Sequence, residues 1–150
     1  MSIPRTRPPA SAVVIEAEVP FHDVDSLQIV WHGHYYKYFE TARTKLFLQH
    51  GIDGREMLEL GYRFVVAHGE CRHVSPLTYR DAYRVSAWFA GEPEHRVRVF
   101  YEVWNLSADK RAARGRTDLV TTDPQGNMML VTPELIQKRI KNPLPASETP

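Results

Sequence analysis

The chain has 150 residues, 43% hydrophobic and 25% charged, which suits one compact domain with a modest core. Its 19 Lys and Arg against 18 Asp and Glu leave a net charge of +1, excluding the basic footprint that nucleic acid or an anionic membrane selects. A single cysteine, Cys71, excludes an internal disulfide framework and any zinc site of several thiolates, and it fits a reducing, cytoplasmic compartment.

Prolines mark both ends. Pro4, Pro8 and Pro9, then Pro143, Pro145 and Pro150, predict flexible tails at 1–11 and 142–150 around a single domain at 12–141. The first 30 residues carry only a short apolar run at 12–15, unlike a secretory signal, and no apolar stretch approaches the roughly 20 residues of a membrane helix. Alternation of apolar and acidic residues predicts a strand at 12–19, followed by a loop at 20–31. A helix follows at 32–49, where Tyr35, Tyr38, Phe39, Ala42 and Leu46 share a narrow arc that Tyr36 and Phe47 widen. So broad an apolar face implies a helix enclosed by something curved. Gly51 ends it, and a short helix at 55–60 closes on Gly61.

The rest reads as strands, at 62–73, 83–89, 96–103 and 111–122, with a turn at 123–127 leading into 128–131 and a last helix at 133–141 opened by Pro133. Cys71, mid-strand and without a thiol-protease signature, reads as a small buried hydrophobe. One early helix followed by consecutive long strands predicts an α+β architecture, an antiparallel sheet wrapped around one long central helix. The alternation places Trp88, Phe100 and Trp104 on the outer face, and such a sheet has open edges. A homodimer or a dimer of dimers is therefore expected.

The junction from Phe21 to Arg43 carries the chemistry. Asp23 and Asp25 offer carboxylate oxygens, and Trp31, His32 and Gly33 lead into a helix whose first N–H groups lack intrahelical acceptors. Acyl transfer needs both elements. Asp25 also fits a plain turn or capping role, and His32 a structural one, with its backbone rather than its imidazole assigned to the chemistry. Glu40 and Arg43, at i and i+3, read as an ordinary helix pair, although Glu40 is also a candidate second carboxylate. Tyr35 reads as core. His22, His32, His34 and His50 fall in no metal-ligand spacing. Arg72, Arg111, Arg114 and Arg116 suit either a solvated face or the phosphates of a ligand such as coenzyme A.

The string D-x-D at Asp23 and Asp25, I-V-W-H at 29–32, Tyr35 and F-E-x-A-R at 39–43 resembles the signature of the hotdog-fold acyl-CoA thioesterases of the 4-hydroxybenzoyl-CoA thioesterase family. RFVV at 63–66, SPLTYRD at 75–81 and P-E-L-I near the end extend the resemblance over roughly 12–141. It implies a hotdog fold, active sites paired at a dimer interface, a homodimer or homotetramer, and no metal or redox cofactor. It also implies that Asp25 is the catalytic acid and that the His32 N–H polarises the thioester carbonyl, with Trp31 and Gly33 beside it. Gln28 departs from the pattern, where many members carry glycine. The implied substrate is an acyl-CoA or an acyl group on a carrier protein. Two competing readings are a hydroxyacyl-thioester dehydratase using His32 with Glu40, and a non-catalytic acyl-thioester binding module.

Overall fold

The structure is a computed structural model that describes Ile3, Arg5 and residues 7–150. Five strands, β1 (Val13–Glu18), β2 (Arg63–His73), β3 (Ala82–Ala90), β4 (Val97–Asn105) and β5 (Lys110–Thr122), form one sheet. Its order is β1-β3-β4-β5-β2, antiparallel throughout. Helix α1 (His34–Gln49) lies against the concave face, α2 (Gly54–Glu59) follows it, and α3 (Glu134–Lys141) closes the chain near the end of α1. This is the hotdog arrangement.

The wide arc read from the sequence is mostly buried. Tyr35, Tyr38, Phe39, Ala42, Leu46 and Phe47 all face the sheet, whereas Tyr36 stays exposed beside Gly69 of β2. Three aromatic stacks fasten α1 along its length: Tyr38 on Tyr83, Phe39 on Tyr101 and Phe47 on Phe89, with centroids 4.7, 4.5 and 5.7 Å apart. Such pairs add about 0.5–1.5 kcal/mol each beyond the area they bury. The helix comes close enough to β5 that a Cβ on Gly115 would collide with the Phe39 ring. Glycine is needed there for space.

Helix α1 begins two residues later than the periodicity predicts. Trp31–Gly33 form a turn instead, closed by the His34 N–H donating to the Trp31 carbonyl at 2.9 Å. At 128–131 the expected continuous strand is a single bridge, Met128 to Thr122, because the Met129 N–H reaches back to Thr121 while the Thr132 N–H turns away to Glu94. Trp88, Phe100 and Trp104 do face outward, but Phe100 is only 6% exposed and packs edge-on against Trp88. The expected tail at 1–11 lies partly outside the described residues. Of those described, Ile3 is buried and the Arg5 carbonyl accepts a hydrogen bond from Arg111.

Candidate active site

The loop before α1 separates its two aspartates. A single 3₁₀ turn, Phe21–Asp23, carries Asp23 inward, where it accepts hydrogen bonds from the Tyr38 hydroxyl at 2.6 Å and the Lys37 ammonium at 2.9 Å. Burial alone would raise the carboxyl, yet those two donors, with His34 at 3.9 Å, hold it below its usual value. The Asp23 carbonyl accepts the Trp31 N–H at 3.0 Å, so this residue ties the loop to the helix start.

Asp25 sits at the tip of the next turn. Its N–H donates to Ile29, its carbonyl accepts from Gln28, and its Oδ1 accepts the Leu27 N–H at 2.8 Å in an Asx turn. The carboxylate is half-buried, forms no ion pair among the described residues, and keeps its second oxygen unbonded among them. Gln28 occupies the left-handed region at φ +65°, where glycine is adopted without strain. Its departure from the family pattern thus has a conformational meaning, a non-glycine residue in a glycine conformation.

Asp25 and His32 line the same pocket of about 310 Å³, with Leu27, Ile29, Tyr35 and Ser75 around them. The His32 and Gly33 N–H groups find no acceptor among the described residues. A Cβ on Gly33 would run into the Trp31 ring, which lies over that turn while remaining half-exposed. Tyr35 is core and pocket wall at once, and burial pushes its hydroxyl up to about 12, so it stays neutral.

One wall was not foreseen. His73, the last residue of β2, packs its ring edge-on against Tyr35 at 4.8 Å and against His32 at 6.3 Å. Burial, then the neighbouring His32, lower its pKa and favour a neutral imidazole. Nothing local in the sequence marks it; only the β2–β5 register carries it there.

The predicted Glu40–Arg43 pair does not form. Arg43 instead donates to the hydroxyl of buried Tyr101 at 3.2 Å, and Glu40, on the exposed side, lines a separate pocket of about 390 Å³ with Arg43, Arg63 and Phe64. Within one chain Glu40 and His32 therefore line different pockets. Among the described residues no cluster of three metal-ligating side chains occurs. Cys71 packs against the core, where burial pushes its thiol up to about 12, as expected of an inert hydrophobe. No helix among the described residues is long and apolar enough to cross a membrane.

Comparison with known proteins agrees with the fold. The model of the Thioesterase-like superfamily matches residues 19–145. A thioesterase from Thermus thermophilus, solved with coenzyme A and Zn, superposes with a TM-score of 0.73 at 27% identity, covering 87% of this chain and 98% of that one. A 1,4-dihydroxy-2-naphthoyl-CoA thioesterase from Synechocystis superposes with a TM-score of 0.76 at 17% identity, over 88% and 97% of the two chains. A protein of Aquifex aeolicus (strain VF5) named "Putative esterase" is 31% identical over 72 residues, 48% of this chain and 56% of that protein. That match therefore spans little more than half the length of the Aquifex relative. With the five-stranded sheet wrapped on α1 and a family match over most of its length, the chain belongs to the Thioesterase-like superfamily.

Proposed function

We propose that the protein hydrolyses acyl-CoA thioesters to the free acid and coenzyme A, with Asp25 as the catalytic carboxylate. The observation that carries this reading is one pocket lined by Asp25, whose carboxylate forms no ion pair among the described residues, and by His32 just before α1, whose N–H, like that of the adjoining Gly33, finds no acceptor among them. In one route Asp25 takes a proton from water as the oxygen attacks the thioester carbon. In the other its carboxylate attacks directly, giving a mixed anhydride that water then cleaves. In both routes the carbonyl oxygen gains negative charge, which the two N–H groups stabilise, and the C–S bond breaks to release the thiolate. Donors of this kind contribute about 3 kcal/mol each.

The carboxylate and amide groups supply base or nucleophile and electrophile together, so we assign the step no metal or redox cofactor. The substrate names carried by relatives, 1,4-dihydroxy-2-naphthoyl-CoA among them, support a coenzyme A thioester. The active molecule is a homodimer or homotetramer, and the single unpaired Cys71 supports a reducing, cytoplasmic setting. Thiol release from a panel of acyl-CoAs tests the activity. Free coenzyme A accumulating with the acid is the expected result; loss of water from a hydroxyacyl-CoA without thiol would establish the dehydratase instead, and no turnover of any acyl-CoA the binding module.

A further inference from the structure

Three non-glycine residues hold positive φ among the described residues: Gln28 at +65°, Arg80 at +69° and Asp109 at +53°. Any side chain there strains the backbone, and such strain persists where the side chain serves some end. For two of the three the end is visible. The Arg80 guanidinium reaches Glu18 at 3.2 Å, and the Asp109 carboxylate accepts the Trp104 indole N–H at 3.3 Å. Gln28 has no such contact. Its N–H closes the Asp25 turn at 2.9 Å, a bond that glycine would make equally well, and its side-chain amide forms no hydrogen bond among the described residues.

Gln28 lines an open cavity of about 720 Å³ beside the Asp25 turn. Asp25, Leu27 and Ile29 belong both to this cavity and to the pocket of His32, so Asp25 stands where the two meet. Another wall is aromatic. Phe21 is 74% exposed and Tyr79 52%, with their rings edge to face at 5.6 Å. Two exposed rings set against each other, beside an unbonded amide, make an apolar surface with one polar group, as ligand walls are built. A thioester has two arms, and a substrate whose carbonyl lies at the start of α1 has one of them free to cross Asp25 into this cavity.

We propose that Gln28 selects the acyl group: its amide binds a hydroxyl or oxo group on the acyl arm, whose apolar body lies on Phe21 and Tyr79. The amide offers a donor and an acceptor, so either group satisfies it, whereas a plain hydrocarbon displaces its water and leaves it unpaired. A wall of this kind discriminates by a single oxygen more sharply than an apolar wall can. The left-handed backbone at Gln28 is then the cost of presenting an amide where the turn itself asks only for glycine. This rests on the thioesterase reading and narrows its substrate to acyl groups with an oxygen beyond the thioester.

The test measures thiol release from matched acyl-CoAs that differ by one oxygen, hydroxybenzoyl against benzoyl and hydroxyoctanoyl against octanoyl, for the wild-type protein, Gln28→Gly and Gln28→Met. For the faster pair, the wild-type protein is expected to favour the hydroxylated member about tenfold in kcat/KM. Both variants are expected to fall to within about twofold of parity, the loss of one hydrogen bond. Methionine keeps the length of glutamine without its amide, so a preference that survives in Gln28→Met, or equal rates for the two members in the wild type, overturns the selection. Gln28→Gly is also expected to hold or raise the denaturant midpoint; a lowered midpoint assigns Gln28 to the fold and overturns the proposal as well. Those failures leave the thioesterase reading intact. Release of no thiol from any acyl-CoA by the folded wild-type protein ends that reading, and the selection by Gln28 with it.

Discussion

Asp23 and Asp25 leave the same loop into opposite surroundings. Asp23 is 1% exposed and held by Tyr38 and Lys37; Asp25 is half-buried with one oxygen unbonded among the described residues. Because the folded Asp23 carboxyl lies below its ordinary value of 3.8, its contribution to stability is complete above that value and is lost as the pH falls through the lower folded value. Asp23→Asn is expected to lose about 1.5–3 kcal/mol at neutral pH and to flatten the acid limb of an unfolding titration; an unchanged acid limb contradicts the anchoring role. At the helix start the imidazole and the amide of His32 can be told apart. His32→Ala keeps the N–H, so kcat/KM for an acyl-CoA should stay within about tenfold of wild type, whereas loss of acid–base catalysis would cost about 100-fold or more. A fall of that second size assigns the chemistry to the ring.

Phe39 of α1 stacks on Tyr101 of β4 and leaves no room for a Cβ at Gly115 of β5. Gly115→Ala is expected to lower stability by about 1–3 kcal/mol by forcing Phe39 outward, read as a shift in denaturant midpoint without a change in slope. An unshifted midpoint would mean that the helix has slack there. Elements of this kind were legible in the chain where α1 carries helical periodicity and β1, β3 and β4 alternate, and the wide arc of α1 implied an enclosing sheet, whereas β2 was read only from its content of β-forming residues. Its start was misplaced by two residues because Trp31–Gly33 turn without entering the regular helix. The site was half legible. Asp25, His32 and Gly33 are close in sequence and announce themselves. His73 and the Arg43–Tyr101 contact depend on pairings far apart along the chain, the latter 58 residues apart, which no local pattern encodes. Alternation likewise assigned Phe100 to the outer face, but not its cover.

At the scale of the molecule, β2 is one of the sheet's two edge strands, at the end opposite β1. Its 11 residues pair with β5 on one side only, and Val65 and Val66 are 47% and 51% exposed on it. A long apolar edge is an invitation to a further strand, and in a homodimer the second copy's β2 would supply it. Sedimentation at micromolar concentration should give a dimer or a multiple of it, and Val65→Lys with Val66→Lys should shift the population towards monomer. A wild-type monomer, or a double variant that remains fully assembled, contradicts edge pairing.

The most direct test is turnover by Asp25→Asn, measured as coenzyme A released from the best acyl-CoA of the panel, beside its far-ultraviolet circular dichroism and sedimentation. Hydrolysis should fall by about 100-fold or more with fold and assembly unchanged, the loss that follows removal of a nucleophile or general base. Release within a few-fold of wild type by the folded variant would contradict the assignment of Asp25.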